Sequence, residues 1–372
     1  MTMDDLTKKF VMKKFREFYL NEFDYCPPEF EKREWGIVPL KTLPDFIMHR
    51  HLSFKNKEDL KAHLLDNVPA HVYYSSAYYE HPSAEKMEDK GWICADLIFD
   101  IDADHIPLDI QLEKLLEIAK RDTIRLYHLL HDDFGIKRKD IKIVFSGSRG
   151  YHIHVYDRKF QKLGSAERRE IVNYFFLTDA KLLLDYKIIG STQGKRLAKC
   201  IAAYFYNVIK KGKLEDELKK YKLTKNQIET IKTLLTKENL LRILNCDLSF
   251  FPKSKRVKRM LENIVKVCEE KIKVHIDAPV TSDIRRLIRL PESLHGKTGL
   301  KVTLISPEKI ENFNPFVDAV VFSEDKVKIK ALCDIKKRVF DFGLNLKAGE
   351  VTSVPEYVAI FLMCRGEASY GY

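Results

Sequence analysis

No two cysteines of this 372-residue chain form a C-x-x-C pair; the seven, Cys26, Cys94, Cys200, Cys246, Cys268, Cys333 and Cys364, are scattered and odd in number. That excludes a disulfide frame and a sequence-readable zinc knuckle, and it points to free thiols in a reducing compartment. The opening MTMDDLTKKFVMKKF lacks an apolar run of signal-peptide length, and no stretch approaches a membrane span. An intracellular, soluble, cytoplasmic protein with no membrane partner is expected. Internal repeats, low-complexity tracts and disordered linkers are also missing. Acidic residues are in deficit, 54 Asp and Glu against 65 Lys and Arg, and the resulting charge of +11 favours polyanionic partners without requiring them.

What is present reads as an α/β protein. The chain is long for a single core, so one large α/β domain with an insertion, or two intimate domains, is expected. The first ~90 residues mix an amphipathic helix, an aromatic loop and a strand, AHVYY, at 70–74. A second strand, ICADLIFDID, ends near Pro107, after which Leu112, Leu115, Leu116, Ala119, Leu126, Leu130 and Phe134 recur at helical spacing up to Gly135. IKIVF at 141–145 and YHIHV at 151–155 flank the turn SGSRG as a hairpin. Residues 165–270 are long charged helical segments with almost no glycine, an inserted helical subdomain; basic stretches there, such as FPKSKRVKR, read as solvated faces. HIDAPVT and IRRLIRLPESLHGKTGLKVTLI return to strand and loop, and the final ~60 residues read as strand and helix packed at the edge of the core.

Three stretches carry chemistry. In FDIDADH the carboxylates of Asp100 and Asp102 fall on one strand face, close enough that two like charges need an offset such as a divalent cation. Mg²⁺ or Mn²⁺ suits oxygen ligands, and phosphoryl transfer needs attacking and leaving oxygens neutralised. Asp104 continues the alternation, but with Pro107 so near it reads as structural. In SGSRGYHIH, glycines admit backbone N–H groups to an anion, Ser146 offers a hydroxyl, Arg149 a phosphate-matched fork and His152 a ring donor. His152 and His154 share a face, yet no third ligand stands nearby to make a metal site. The third stretch, HIDAPVTSDIRRLIRLPESLHGKTGL, holds Asp277 and Asp283, three arginines, and then His295 and Lys297 in a glycine-bearing loop. Lys297 suits a phosphate contact. Spacing alone leaves either aspartate as the third metal ligand.

Taken together and in this order, these stretches resemble the catalytic small subunit of archaeal-eukaryotic type DNA primases, nearer the archaeal branch, with weaker echoes in VYYSSAYYEHP and FNPFVDAV. The resemblance covers nearly the whole chain outside the helical insertion. It implies a mixed-sheet primase catalytic fold with catalytic segments 1–164 and 271–372 around a helical insertion at 165–270. It implies two-metal nucleotidyl transfer of the DNA-directed RNA polymerase type, starting short primers from nucleoside triphosphates on single-stranded DNA at replicating DNA, beside a large subunit. It assigns Asp100, Asp102 and Asp277 to the metals, and Ser146, Arg149, His152, His295 and Lys297 to nucleotide phosphates. A gap-filling or end-joining polymerase of the same superfamily, or a non-catalytic nucleic-acid-binding subunit, would be the alternatives. The family's usual zinc cluster after the acidic strand is missing, since HIPLDIQLEKLLEIAKRDTIRLYHLL has no cysteine, so no structural zinc is expected there.

Overall fold

The computed structural model describes residues 3–102, 112–183, 185–189 and 191–371. Its contacts separate two units, Met1–Arg168 with Ile276–Tyr372, and Arg169–His275. The first unit opens with helix α1 (Asp5–Asn21), capped where Asp4 accepts from the Thr7 N–H at 2.7 Å, with Val11, Phe15, Phe18 and Tyr19 buried. Strands β1 (Trp35–Pro39) and β2 (His49–Leu52), helix α2 (Lys57–Asn67) and strand β3 (Pro69–Ser75) follow.

The run expected as one strand across residues 93–102 is broken. β4 (Ala77–Tyr79) pairs with β5 (Trp92–Ala95), whereas β6 (Leu97–Asp102) belongs to another sheet. Asp96 sits between them, fully buried against the Arg33 guanidinium at 2.6 Å, and Arg168 donates to the carbonyls of Ala95 and Asp96 at 2.7 and 2.8 Å. A buried carboxylate must be paired and hydrogen-bonded, and here that requirement turns the chain.

Helix α3 (Leu112–Asp132) buries Leu116, Ala119, Leu126 and Leu130 and leads to β7 (Ile141–Phe145) and β8 (Gly150–Val155). β7 and β8 form the expected hairpin, from Ile141 opposite Val155 to Phe145 opposite Tyr151. β8 lies between β7 and β6 and runs antiparallel to both, so β6 and β7 point the same way and α3 carries the crossover between them. Short α4 (Arg158–Gln161) ends the first pass through this unit, and α5 (Ser165–Phe176) runs across its boundary at Arg168 into the second.

The second unit holds β9 (Lys181–Leu182), β10 (Ile188–Ile189), α6 (Ser191–Lys210), α7 (Leu214–Lys219), α8 (Lys225–Leu234), α9 (Lys237–Leu244) and α10 (Lys255–Ile272). Leu197, Ile201 and Phe205 on α6 and Val257, Leu261 and Ile264 on α10, each at spacings of three or four, share its core. The β9–β10 ribbon is a small antiparallel element that helical periodicity did not disclose.

Back in the first unit, the stretch expected as strand and loop begins with a short helix, α11 (Ala278–Ser282), before β11 (Leu287–Arg289) and β12 (Leu304–Ile305). Two four-stranded sheets result, in the orders β11-β3-β1-β2 and β12-β7-β8-β6. Every strand pairing among the described residues is antiparallel, which corrects the expected mixed sheet. Helix α12 (Pro315–Asp318), strands β13 (Lys326–Ala331), β14 (Ile335–Val339), β15 (Phe342–Leu346) and β16 (Val351–Pro355), helix α13 (Glu356–Cys364) and strand β17 (Ala368–Tyr370) complete it. α13 is no edge element: Val358, Ala359, Ile360, Leu362 and Met363 are fully buried, and Glu356 on its first turn meets Lys14 of α1 at 2.5 Å. An almost uniformly apolar helix can only lie inside.

Candidate active site

The pleat of β6 sets the site's floor. Phe99 and Ile101 point into the core, and the alternating Asp100 and Asp102 keep partial exposure. β8 closes on them with His152 opposite Asp100 and Gly150 opposite Asp102. A Cβ on Gly150 would lie 2.4 Å from the Ile101 carbonyl oxygen, so only glycine permits this approach.

Asp277 arrives from α11, at whose N-cap it stands without using its side chain as a cap; its N–H donates to the Asp100 carbonyl oxygen at 2.8 Å. Burial, then the charges of Asp102 and Asp277, push the Asp100 carboxyl up to about 7, with Arg286 and Arg289 partly offsetting them. Asp283 turns away, accepting from the Arg285 N–H at 2.9 Å. Between the two aspartates that spacing left open, the structure brings Asp277 to Asp100.

Two loops form the rest. In the β7–β8 turn the Ser146 N–H donates to the Gly150 carbonyl at 3.0 Å, and the Gly150 N–H donates to Ser146 Oγ at 3.2 Å. Gly147 adopts φ +81°, and a Cβ there would come 2.7 Å from His295 Cβ. Thr298 Oγ1 donates to the Gly147 carbonyl at 2.6 Å, which ties the second loop to the first. The Lys297 N–H donates to His295 Nδ1 at 3.3 Å, leaving the ring proton on Nε2. Burial, reinforced by Arg289, holds His295 well below the usual histidine range and His152 down at about 3, so both rings are neutral. His152 Nε2 stands 3.8 Å from Asp100 Oδ1.

These parts share one cleft of about 580 Å³. Asp100, Asp102, Ser146, Arg149, His152, His295 and Lys297 all line it, and Asp277 adjoins it through Asp100. Arg149 and Lys297 are exposed. Residues without an assigned role also line it, among them Ser148, Thr298, Arg289, Phe361 of α13 and Arg365 just after that helix. Arg289 is the most fully built of them. Its Nη2 donates to Tyr73 Oη at 3.0 Å and its Nη1 to His71 Nδ1 at 2.6 Å, with the guanidinium 4.9 Å from the Tyr73 ring centroid. Burial first, then Arg289, holds His71 down at about 2, so it serves as an acceptor. The one hint in the sequence was an arginine in RLIRLP; its partners lie more than 200 residues away.

The family model for the DNA primase small subunit matches residues 99–306, the span from the acidic strand through the LHGKTG loop. The DNA primase small subunit PriS of Archaeoglobus fulgidus is 46% identical over 366 residues, covering 98% of this chain and 99% of the relative. That of Methanococcoides burtonii is 38% identical over 394 residues, covering 99% and 100%, and that of Methanosarcina barkeri 36% over 409 residues, covering 100% and 98%. The chain belongs to the DNA primase small subunit family. It is a primase small subunit, a nucleotidyltransferase of DNA replication whose family uses divalent metal and works with a large subunit. No helix among the described residues is long and apolar enough to cross a membrane.

Asp100, Asp102 and Asp277 would suit a hard cation: three carboxylates, no sulfur, and a repulsion on Asp100 that positive charge would relieve. Among the described residues no group of three His, Cys, Asp or Glu side chains forms a ready-made metal cage. An ion that draws many ligands from water and substrate phosphates does not need one. Asp104 and Pro107 lie outside the described residues.

Proposed function

We propose that the cleft is the nucleotidyl-transfer centre and that the chain starts short primers on single-stranded DNA without a pre-existing end. The unit Met1–Arg168 with Ile276–Tyr372 would be the catalytic domain of a primase fold, and Arg169–His275 its inserted helical subdomain. The observation that carries the reading is Asp100, pushed up to about 7 at the floor of a cleft that also presents Arg149, Arg289 and Lys297. Three acids beside three cations suit a triphosphate bridged by metal, and neither set alone would.

Asp100, Asp102 and Asp277 would hold Mg²⁺ or Mn²⁺, which when bound neutralises the attacking and leaving oxygens of an in-line displacement. Arg149 offers its planar fork to phosphate oxygens and Lys297 a mobile point charge. Ser146 and the neutral His152 and His295 donate to oxygens without adding charge. Arg289, held by Tyr73 and His71, presents a cation with little freedom left to lose. So held, the α-phosphate is oriented for a 3′-hydroxyl: a new P–O bond forms and pyrophosphate leaves. The partners are single-stranded DNA template, nucleoside triphosphates and a primase large subunit, acting at replicating DNA in the cytoplasm.

The test supplies unprimed single-stranded DNA, nucleoside triphosphates and Mg²⁺ or Mn²⁺, with and without the large subunit. Short new strands are expected. Extension only of a supplied primer would turn the reading to a repair or end-joining polymerase, and no synthesis in any arm to a binding subunit.

A further inference from the structure

Net charge is divided unevenly along the chain. Residues 169–275 carry 24 Lys and Arg against 12 Asp and Glu, and the remainder 41 against 42, so the whole positive balance sits on the helical unit. Several cations there are offset locally: Lys219 by Glu215 at 2.9 Å, Lys220 by Glu217 at 2.6 Å, Lys232 by Glu229 at 3.0 Å and Arg242 by Asp247 at 2.8 Å. One group is not. The side chains of Lys222, Arg256 and Arg259 make neither ion pair nor hydrogen bond among the described residues, and with Lys220, Tyr221 and Asn263 they line a concavity of about 310 Å³.

Two elements build this concavity. Lys222 ends the turn after α7 in the left-handed region, at φ +54°. On α10, Arg256, Arg259 and Asn263 recur at spacings of three and four and so share a face. Ser254 caps α10 by accepting from the Val257 N–H at 3.3 Å and accepts as well from Gln227 Nε2 of α8 at 2.9 Å, which fixes where the helix begins. The charges run against local preference. A helix N-terminus favours acids, yet the first turn of α10 has none and opens on Lys255 and Arg256, with Lys258 and Arg259 directly after. Like charges three apart on a helix repel. A cation cluster that local electrostatics disfavours is the kind of conflict expected at a binding site, and its natural ligand is a polyanion.

We propose that this concavity holds backbone phosphates of a single-stranded nucleic acid, without base preference. Tyr221 adds the aromatic surface that single-strand sites combine with cations. The site lies wholly within the helical unit and uses no residue of the catalytic cleft.

The test compares two full-length variants of equal charge loss. One carries Lys222→Gln, Arg256→Gln and Arg259→Gln; the control carries Lys181→Gln, Lys199→Gln and Lys210→Gln, exposed lysines of the same unit outside the concavity. Fluorescence anisotropy of a labelled oligothymidylate is followed across salt, in chelator and without nucleotide. All six positions are exposed, so unchanged circular dichroism and melting are expected. The first variant should bind more than about tenfold more weakly at roughly 0.2 M salt, with a log–log salt slope shallower by about 2, from about 0.7 for each of three lost phosphate contacts. The control should lose less than about threefold. Equal weakening of both variants would overturn the concavity in favour of a diffuse field. Unchanged strand binding with weakened large-subunit binding would overturn it in favour of a protein interface. Displacement of the strand by stoichiometric free triphosphate would make it a small-anion site. Because the readout needs neither metal nor synthesis, its failure leaves the cleft's assignment standing, and an inactive cleft leaves the readout intact.

Discussion

Asp100→Asn tests the electrostatics of the cleft most directly. The folded protein holds the Asp100 carboxyl at about 7, against 3.8 for the ordinary group, because burial and then Asp102 and Asp277 penalise its charge. Between about pH 4 and pH 7 the native state therefore keeps a proton that the unfolded chain has released, and stability falls as pH rises through that window. Three units of pKa correspond to roughly 4 kcal/mol. The side chain keeps 24% exposure, and asparagine still carries the cost of a half-buried polar group, so a gain of about 1–2 kcal/mol is expected above pH 7. At about 1–2 °C per kcal/mol for a chain of this size, the variant should melt roughly 1–4 °C above the parent in chelator near pH 8. The difference should shrink to nothing near pH 4, where both carry a neutral side chain. Added Mg²⁺ should raise the melting temperature of the parent more than that of the variant, since only the parent gains an ion on this carboxylate. Scanning calorimetry over pH, with and without Mg²⁺, reads all of this. A variant that melts below the parent in chelator near pH 8 would refute the reasoning, because Asp100 would then be a stabilising partner and not a repelled charge.

Arg149→Ala and Lys297→Ala should each weaken nucleotide binding by about tenfold to a hundredfold, from roughly 1.5–3 kcal/mol for a charged hydrogen bond, with template binding retained; a nucleotide titration with unchanged affinity would move both to structural roles. Thr298→Val removes the 2.6 Å bond to the Gly147 carbonyl and should cost about 1–3 kcal/mol in denaturant melts while raising the KM for nucleotide, because the two loops lose their tie. Arg33→Met strands the fully buried Asp96 and should destabilise by about 3–5 kcal/mol by urea unfolding, whereas a loss under 1 kcal/mol would show that the pair does not hold the β5–β6 turn. Metal analysis of the chelator-treated protein should find substoichiometric zinc; one tight zinc per chain would reveal a site built from dispersed residues.

The sequence by itself determined the elements whose signal is local. The period of two that exposes Asp100 and Asp102 is a property of any strand, the glycines around Arg149 mark a turn wherever they occur, and Leu116, Ala119, Leu126 and Leu130 announce α3 at 112–132 by their spacing alone. The three stretches in their order also sufficed to place the chain among primase small subunits. Tertiary structure decided whatever depended on partners far along the chain. Whether Asp277 or Asp283 turns toward Asp100 is set by where α11 begins and by a backbone hydrogen bond across 177 residues. Arg289 became a fixed cation because β11 pairs with β3, which brings Tyr73 and His71 alongside it. The break at Asp96 needs Arg33 from 63 residues upstream, and the antiparallel pairing of β6 with β8 is a matter of which edges meet. Periodicity records only which face of an element is apolar; which surface that face meets, and which polar group is carried inward with it, is settled when distant segments close on one another and buried charges must find partners.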